Sequence, residues 1–387
     1  MTVDFEANYD EALVPEYTLP DPLVSAAGDP VTTAEQWRES RRPELLGLFA
    51  EHVYGSTPPT VGEITAEVVE EGAIPEGTRR QVRIGLREFP DWPGIDVLLF
   101  LPPDPRGIFV GLNFFGNHTV TADPAVAINP RWMADRPGVV EHRATESTRG
   151  AARSRWPVPT ILARGYGLAT AYCGDLFPDH ADGYAESIAA ALDSPGWGAV
   201  GAWAWGLSRI AEHLAPIAPL AVLGHSRLGK AALWAGAQDE RFGLVISNES
   251  GCTGAAIARR RVGETVARIN TAFPHWFSPS YRRYNDREHE LPVDQHELIA
   301  LMAPRPVHIA SAEEDRWSDP FGEFLGGREA NSVYELLGGE GLPADNMPAV
   351  GEPVRGRISY HMRAGEHDVV DYDWDRYLES ADRFLQS

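Results

Sequence analysis

The stretch from Leu220 to Lys230 limits the possible folds of this chain more than any other. It reads Leu-Ala-Val-Leu-Gly-His-Ser-Arg-Leu-Gly-Lys. A short apolar run, as expected of a strand buried on both faces, passes through Gly-His-Ser-Arg-Leu-Gly into a helix-forming stretch that ends near Ala237. A chain that ends a strand and begins a helix at one residue must turn sharply there, and small flanking residues let it do so. The turn would set Ser226 at a helix N-terminus, where backbone N–H groups stabilise an anion. The spacing departs from the G-x-S-x-G elbow, because Leu228 occupies the second glycine position and the glycine follows at 229. A serine that only caps a helix fits the same pattern.

The rest of the chain supplies the sheet that such an elbow needs. Short apolar runs predict strands at Arg80–Leu86, Ile95–Leu101, Ile108–Leu112, Gly167–Tyr172, Leu220–Leu223, Leu244–Ser247, Val307–Ala310 and Arg357–His361. Helical patterns fall between or after them at Ala185–Leu192, Ala199–Leu214, Arg227–Ala237, Phe321–Leu337 and Trp374–Phe384, with an earlier one at Thr32–Val53 capped by Thr33. This alternation predicts an α/β-hydrolase fold: a mostly parallel central sheet with helices on both faces. Residues 1–30, rich in Pro, Asp and Glu, read as an extended arm, and residues 31–387 as a single catalytic domain. The irregular stretches 117–157 and 252–292 are long enough to carry function.

Charge narrows the partners. The formal net charge is −22, a field that repels nucleic acid and anionic membrane surfaces, so neither is expected as a partner. No apolar run approaches the ~18 residues of a membrane span. The first 17 residues lack a basic and apolar leader pattern, which predicts a cytoplasmic location. The two cysteines, Cys173 and Cys252, are expected to be buried and reduced.

A serine hydroxyl needs a base to become a nucleophile. In this fold the order along the chain is serine, acid, histidine, and His367 fits: it sits in Ala-Gly-Glu-His-Asp between the final strand and the final helix. His361 lies within a strand pattern, His225 should turn away from its neighbour Ser226, and His296 and His308 read as structural or substrate-adjacent. Two carboxylates compete as the acid that orients His367. Asp315 follows the strand Val307–Ala310, and Glu249 follows the strand before it. Spacing does not choose between them.

These motifs together resemble the bacterial glucuronoyl esterases, carbohydrate esterase family 15. The resemblance rests on Gly224–Lys230 with the following Ala-Ala-Leu-Trp-Ala-Gly-Ala, on Asn248–Cys252, Phe273–Phe277, Asp294–His296 and Asp315–Pro320, and upstream on Leu112–Thr119 and Ala163–Gly167. It implies hydrolysis of esters of 4-O-methyl-glucuronic acid, as a small molecule or within an oligosaccharide, with no metal and no cofactor. It makes Ser226 the nucleophile and His367 the base, ranks Glu249 slightly ahead of Asp315 as the acid, and adds the Arg227 guanidinium to the oxyanion hole. A second oxyanion donor would come from the Phe115–Asn117 loop. Lys230 and Glu264 would meet sugar hydroxyls, and Trp317 the apolar face of a pyranose, with His275 and Trp276 nearby. Two other readings compete: an acetyl esterase of acylated sugars with the same triad, and an inactive hydrolase fold that binds carbohydrate.

Overall fold

The computed structural model describes residues 6–58 and 62–385, so the first five residues of the expected arm lie outside it. A nine-stranded sheet runs through the molecule. Its strands are β1 (Ile64–Ile74), β2 (Gly77–Leu86), β3 (Ile95–Leu101), β4 (Ile108–Asn113), β5 (Gly167–Tyr172), β6 (Leu220–His225), β7 (Phe242–Asn248), β8 (Val307–Ala312) and β9 (Ile358–Arg363). Their spatial order is β1-β2-β3-β5-β4-β6-β7-β8-β9. The pairs from β1 to β5 are antiparallel, and every pair from β5 through β4 to β9 is parallel. The parallel strands are covered on both faces, as their unbroken apolar runs require.

Alternation along each strand divides the core in two. Val110, Val222, Val245 and Ile309 point to one face, where they meet α2 (Ala199–Leu214) and α3 (Arg227–Gln238). Their neighbours Phe109, Ala221, Leu244 and Ala310 point to the other. There they pack against α1 (Val158–Ala163) and α5 (Asp371–Phe384), with Trp374 fully buried. Asp371 and Asp373 in the first turn of α5 suit its positive dipole end. Thr33 caps the early helical segment as expected, sharing a capping box with Gln36.

Three elements depart from the sequence expectations. The edge strand β1 was not expected, because most of its side chains are exposed and it shows no buried period. Pairing with β2 holds it, helped by Glu70–Arg79 and Glu71–Arg80 ion pairs across the strands. The expected helix Phe321–Leu337 is two helices, α4 (Pro320–Glu329) and a short one at Asn331–Leu336. The expected helix at Ala185–Leu192 is only a pair of short turns.

The N-terminal arm lies against the body of the protein. Glu11 pairs with the buried Arg260 at 2.6 Å, Asn8 O accepts from Gly263 N–H, and Pro20 O meets Nε2 of His296. Among the described residues no helix is long and apolar enough to cross a membrane. Both cysteines are free and buried.

Candidate active site

The C-terminal ends of the parallel strands carry the candidate site, the usual place for ligands in open α/β sheets. β6 ends at His225 and α3 begins at Arg227, so Ser226 alone makes the turn, with φ 56° and ψ −131°. Such a backbone costs a non-glycine residue about 1–3 kcal/mol and persists only where its surroundings fix it. Here Ser226 N–H donates to Asn248 O (2.9 Å), and Gly229 N–H donates to Ser226 O (2.8 Å). The glycine spacing also has a reason. A Cβ on Gly224 would stand 2.0 Å from Leu228 O, and one on Gly229 would stand 2.9 Å from the Cβ of Ser250. The close approach thus falls at 229, and Leu228 is free to pack in the core.

His367 and Ser226 line one cavity of about 340 Å³. Two carboxylates meet the same imidazole nitrogen. Nδ1 of His367 lies 2.6 Å from Oδ2 of Asp315 and 3.1 Å from Oε2 of Glu249. Both acids are buried. Burial acts to lift the Asp315 carboxyl, but the hydrogen bond to His367 outweighs it and holds the group below the usual range. Burial dominates at Glu249 and pushes it up to about 7, against the pull of His367 and Arg363. On His367 burial alone would favour the neutral form. The two carboxylates win and raise it to about 9. His225, expected to turn away from Ser226, has its ring centroid 4.4 Å from that of His367, and its Nδ1 meets Asn248 Oδ1 at 2.6 Å. Burial keeps that second imidazole neutral.

Arg227 is braced from two sides. Its Nε is 2.6 Å from Oδ2 of Asp179, and its guanidinium lies 4.4 Å from the centre of the Phe114 ring. Asp179 also accepts from Nε2 of His275 (2.8 Å) and Nε1 of Trp276 (2.7 Å). Burial opposes the charge on Asp179, but Arg227 and these donors hold its carboxyl below the usual range. Lys230 is buried, and its Nζ donates to Ser250 O and Cys252 O, each at 2.6 Å, and stands 3.6 Å from Glu264. Burial raises the Glu264 carboxyl, with Lys230 opposing. Trp317 is about one-third exposed (36 %) on the cavity wall. Trp276 lines the cavity too, whereas His275 stands behind the wall against Asp179. A larger hollow of about 620 Å³ between 88–93 and 185–191 holds no nucleophile–base pair.

Among the described residues, His225, Glu249 and His367 bring possible metal-ligating atoms within 4.8 Å of one another. In this arrangement Nδ1 of His367 faces the two acids, Nδ1 of His225 faces Asn248 Oδ1, and Oε1 of Glu249 accepts from Arg363 at 2.7 Å.

Comparison with known proteins gives the family. A family model described as glucuronyl esterase, fungi, matches residues 193–338. The carbohydrate esterase MZ0003, from an unknown prokaryotic organism, is 46% identical over 98% of this chain and 92% of its own length. The chain belongs to the glucuronoyl esterases, carbohydrate esterase family 15. A promiscuous esterase of that family from a marine bacterial metagenome superposes with a TM-score of 0.92, at 46% identity, covering 98% of this chain and all of that one (100%). The glucuronoyl esterase of Solibacter usitatus superposes at 0.90, also 46% identical, covering 96% of this chain and 99% of that one. The protein is a carboxylic ester hydrolase of the α/β-hydrolase fold.

Two parts of this candidate site escaped the sequence, and two amides of an expected donor loop are engaged elsewhere. Asp179 is the missed brace of Arg227; a carboxylate just past the end of β5, in Phe-Pro-Asp-His, was its one signal. Arg363, which binds Glu249, lies two residues past the expected strand Arg357–His361 and gave none. The Phe115–Asn117 loop was expected to offer an oxyanion donor. The amides of Phe115 and Gly116 instead donate to Asn113 Oδ1, at 3.3 and 2.7 Å. A tight Asn-initiated turn consumes them. His361 and His308, fully enclosed in β9 and β8, bond to each other and not to the cavity.

Proposed function

We propose that this enzyme hydrolyses esters of glucuronic acid and its 4-O-methyl form through a covalent acyl-enzyme on Ser226. The observation that carries this reading is the strained elbow of Ser226 sharing one cavity with His367, whose far nitrogen two carboxylates hold. His367 takes the proton of Ser226 as its Oγ attacks the uronate ester carbonyl. Asp315 orients the imidazole and stabilises its protonated form, and Glu249 adds a second anion behind it. The carbonyl oxygen gathers negative charge beside the Arg227 guanidinium and the N–H groups that open α3. A fixed cation suits this task, since its charge is in place before the transition state forms. His367 then gives its proton to the departing alcohol, and water releases the acid in a second turn of the same steps.

The relatives support the substrate. The 4-O-methyl-glucuronoyl methylesterase of Schizophyllum commune is 28% identical over 83% of this chain and 74% of its own length. The cavity volume of about 340 Å³ is near the lower end of small-ligand pockets, ~300–1,000 Å³, so it suits one sugar with the rest of a longer substrate outside. In this reading Trp317 covers the apolar face of the pyranose, and Lys230 and Glu264 face its hydroxyls. Steady-state hydrolysis of methyl glucuronate and benzyl glucuronate by wild type and Ser226→Ala tests it. Loss of turnover in the variant is expected; an alanine variant as active as wild type sinks it. Acetylated xylose belongs in the same assay, because a 46% identical relative is described as promiscuous.

A further inference from the structure

His367 sits on a short loop, and one buried side chain binds three carbonyls of that loop. Arg363 ends β9 and is buried, with 5 % exposure. Its Nη1 donates to Ala364 O at 3.0 Å, and its Nη2 to Glu366 O at 2.9 Å and to Asp368 O at 2.7 Å. The segment 364–368 therefore wraps around the guanidinium of the residue that precedes it. The same guanidinium donates through Nη2 to Oε1 of Glu249 (2.7 Å) and through Nε to Oδ2 of Asp373 in α5 (2.9 Å). Glu249 closes the circle: its Oε2 accepts from Asp368 N–H at 3.1 Å and faces Nδ1 of His367.

We infer that Arg363 is a positioning residue of the esterase reaction: its guanidinium is the common anchor of the loop that carries His367 and of the carboxylate of Glu249. The inference rests on reading His367 as the base. A planar guanidinium with five donors can span carbonyls and carboxylates on three separate chain segments; an ammonium is a single point with three. Imidazole and carboxylate are then set by one rigid group, and a slip of either moves with the other.

The far side of the anchor is also built. Asp373 Oδ1 meets Nε2 of His361 at 2.8 Å, Nδ1 of His361 meets Nε2 of His308 at 2.8 Å, and Nδ1 of His308 meets the Ser380 hydroxyl at 2.7 Å. With each neutral imidazole carrying its proton on Nε2, every bond points toward Asp373. Burial keeps both rings neutral, so the row orients Asp373 without adding a cation. The charged and titratable groups facing Arg363 are Glu249 after β7, and Asp373 and Tyr377 on α5. Those facing Glu249 are His367, Arg363, Asp315, the neutral His225 at the end of β6, and Tyr377 on α5. The buried Glu323 of α4 adds a further acid close to Glu249 and Asp315.

The test is kinetics of the full chain on methyl glucuronate across pH, with Arg363→Met, Arg363→Lys and Asp373→Asn, each checked by thermal melting. Wild type and Ser226→Ala on the same substrate separate this inference from the functional reading: an inactive wild type or an active Ser226→Ala sinks that reading itself. Arg363→Met should lose roughly 10- to 100-fold in kcat, because misplacement of a base by about 1 Å costs that much. Its KM should stay within about twofold. Removing the cation strengthens proton binding by the Glu249–His367 pair, so the acid limb of kcat/KM moves to higher pH; removing the anion in Asp373→Asn moves it lower. Arg363→Lys should restore little of kcat. If Arg363→Met does not fold, the direction of the Asp373→Asn limb decides. A folded Arg363→Met with wild-type kcat, or an Asp373→Asn limb that stays put or moves upward, overturns the inference.

Discussion

Nδ1 of His367 lies 2.6 Å from Oδ2 of Asp315, and Oε2 of Glu249 lies 3.1 Å from the same nitrogen. One imidazole thus has two carboxylate partners from two successive strand ends. The nearer one, Asp315, is the more readily ionised, because burial weighs more on Glu249. In the reaction proposed above, Asp315 would be the principal orienting acid and Glu249 the second.

Removal of either acid should leave a partner in place. Asp315→Ala is expected to lose more kcat than Glu249→Ala, each by roughly 10- to 100-fold, and the double variant to fall toward the ~10⁴-fold loss of a triad without its acid. Steady-state kinetics on benzyl glucuronate measures this. A double variant no worse than the Asp315 variant would remove Glu249 from the reaction.

The base must be neutral to accept a proton. Since the two acids raise His367 to about 9 in the free protein, kcat/KM should climb with pH and level off near 9, falling about tenfold per unit below that. A profile already flat at neutral pH would contradict the carboxylate effect on His367.

Arg227 should act on the transition state more than on the ground state. Arg227→Ala is expected to lower kcat by roughly 10²–10³-fold, the scale of a lost oxyanion donor. Asp179→Asn, which keeps the shape but weakens the brace at 2.6 Å, should cost less and leave the melting temperature nearly unchanged. Equal KM effects in both variants, with kcat intact, would assign the pair to binding alone.

Trp317 stands on the wall of the cavity and is partly exposed, so its loss should not disturb the core. Trp317→Ala should raise KM about 3- to 10-fold, the worth of an aromatic contact, with a smaller change in kcat. An unchanged KM would move the sugar elsewhere in the cavity.

Trp374 fills the core between α5 and the sheet, and its Nε1 donates to Arg155 O at 2.9 Å. Trp374→Ala should destabilise the protein by about 3–5 kcal/mol, the cost of an aromatic cavity. Chemical denaturation gives the number.

How much of this could be read from the sequence depends on how local each signal was. β3, β5 and α2 were legible to the residue, because a fully buried element writes its whole length in apolar residues. β1 was not, since an edge strand is held by pairing and needs no apolar face. Ser226 was legible because the turn must be made within one residue, and its glycines are neighbours in the chain. Lys230 was expected to face substrate; the structure also ties its Nζ to Ser250 O and Cys252 O, contacts 20 and 22 residues away.

The sequence by itself determined the elbow, the order of strands and helices, and the set of residues from which a base and an acid could come. These are local facts: a periodicity, a sharp turn, a residue type at a strand end. Tertiary structure alone decided which acid lies nearer His367, that Asp179 braces Arg227, that Asn113 takes the amides of Phe115 and Gly116, and that Arg363 gathers Glu249 and the loop of His367 around one guanidinium. The physical reason is that hydrogen bonds and charges act over a few ångströms in space. The partners here are separated by 48 residues (Asp179 and Arg227) to 118 residues (Glu249 and His367) along the chain, except where a turn closes on itself.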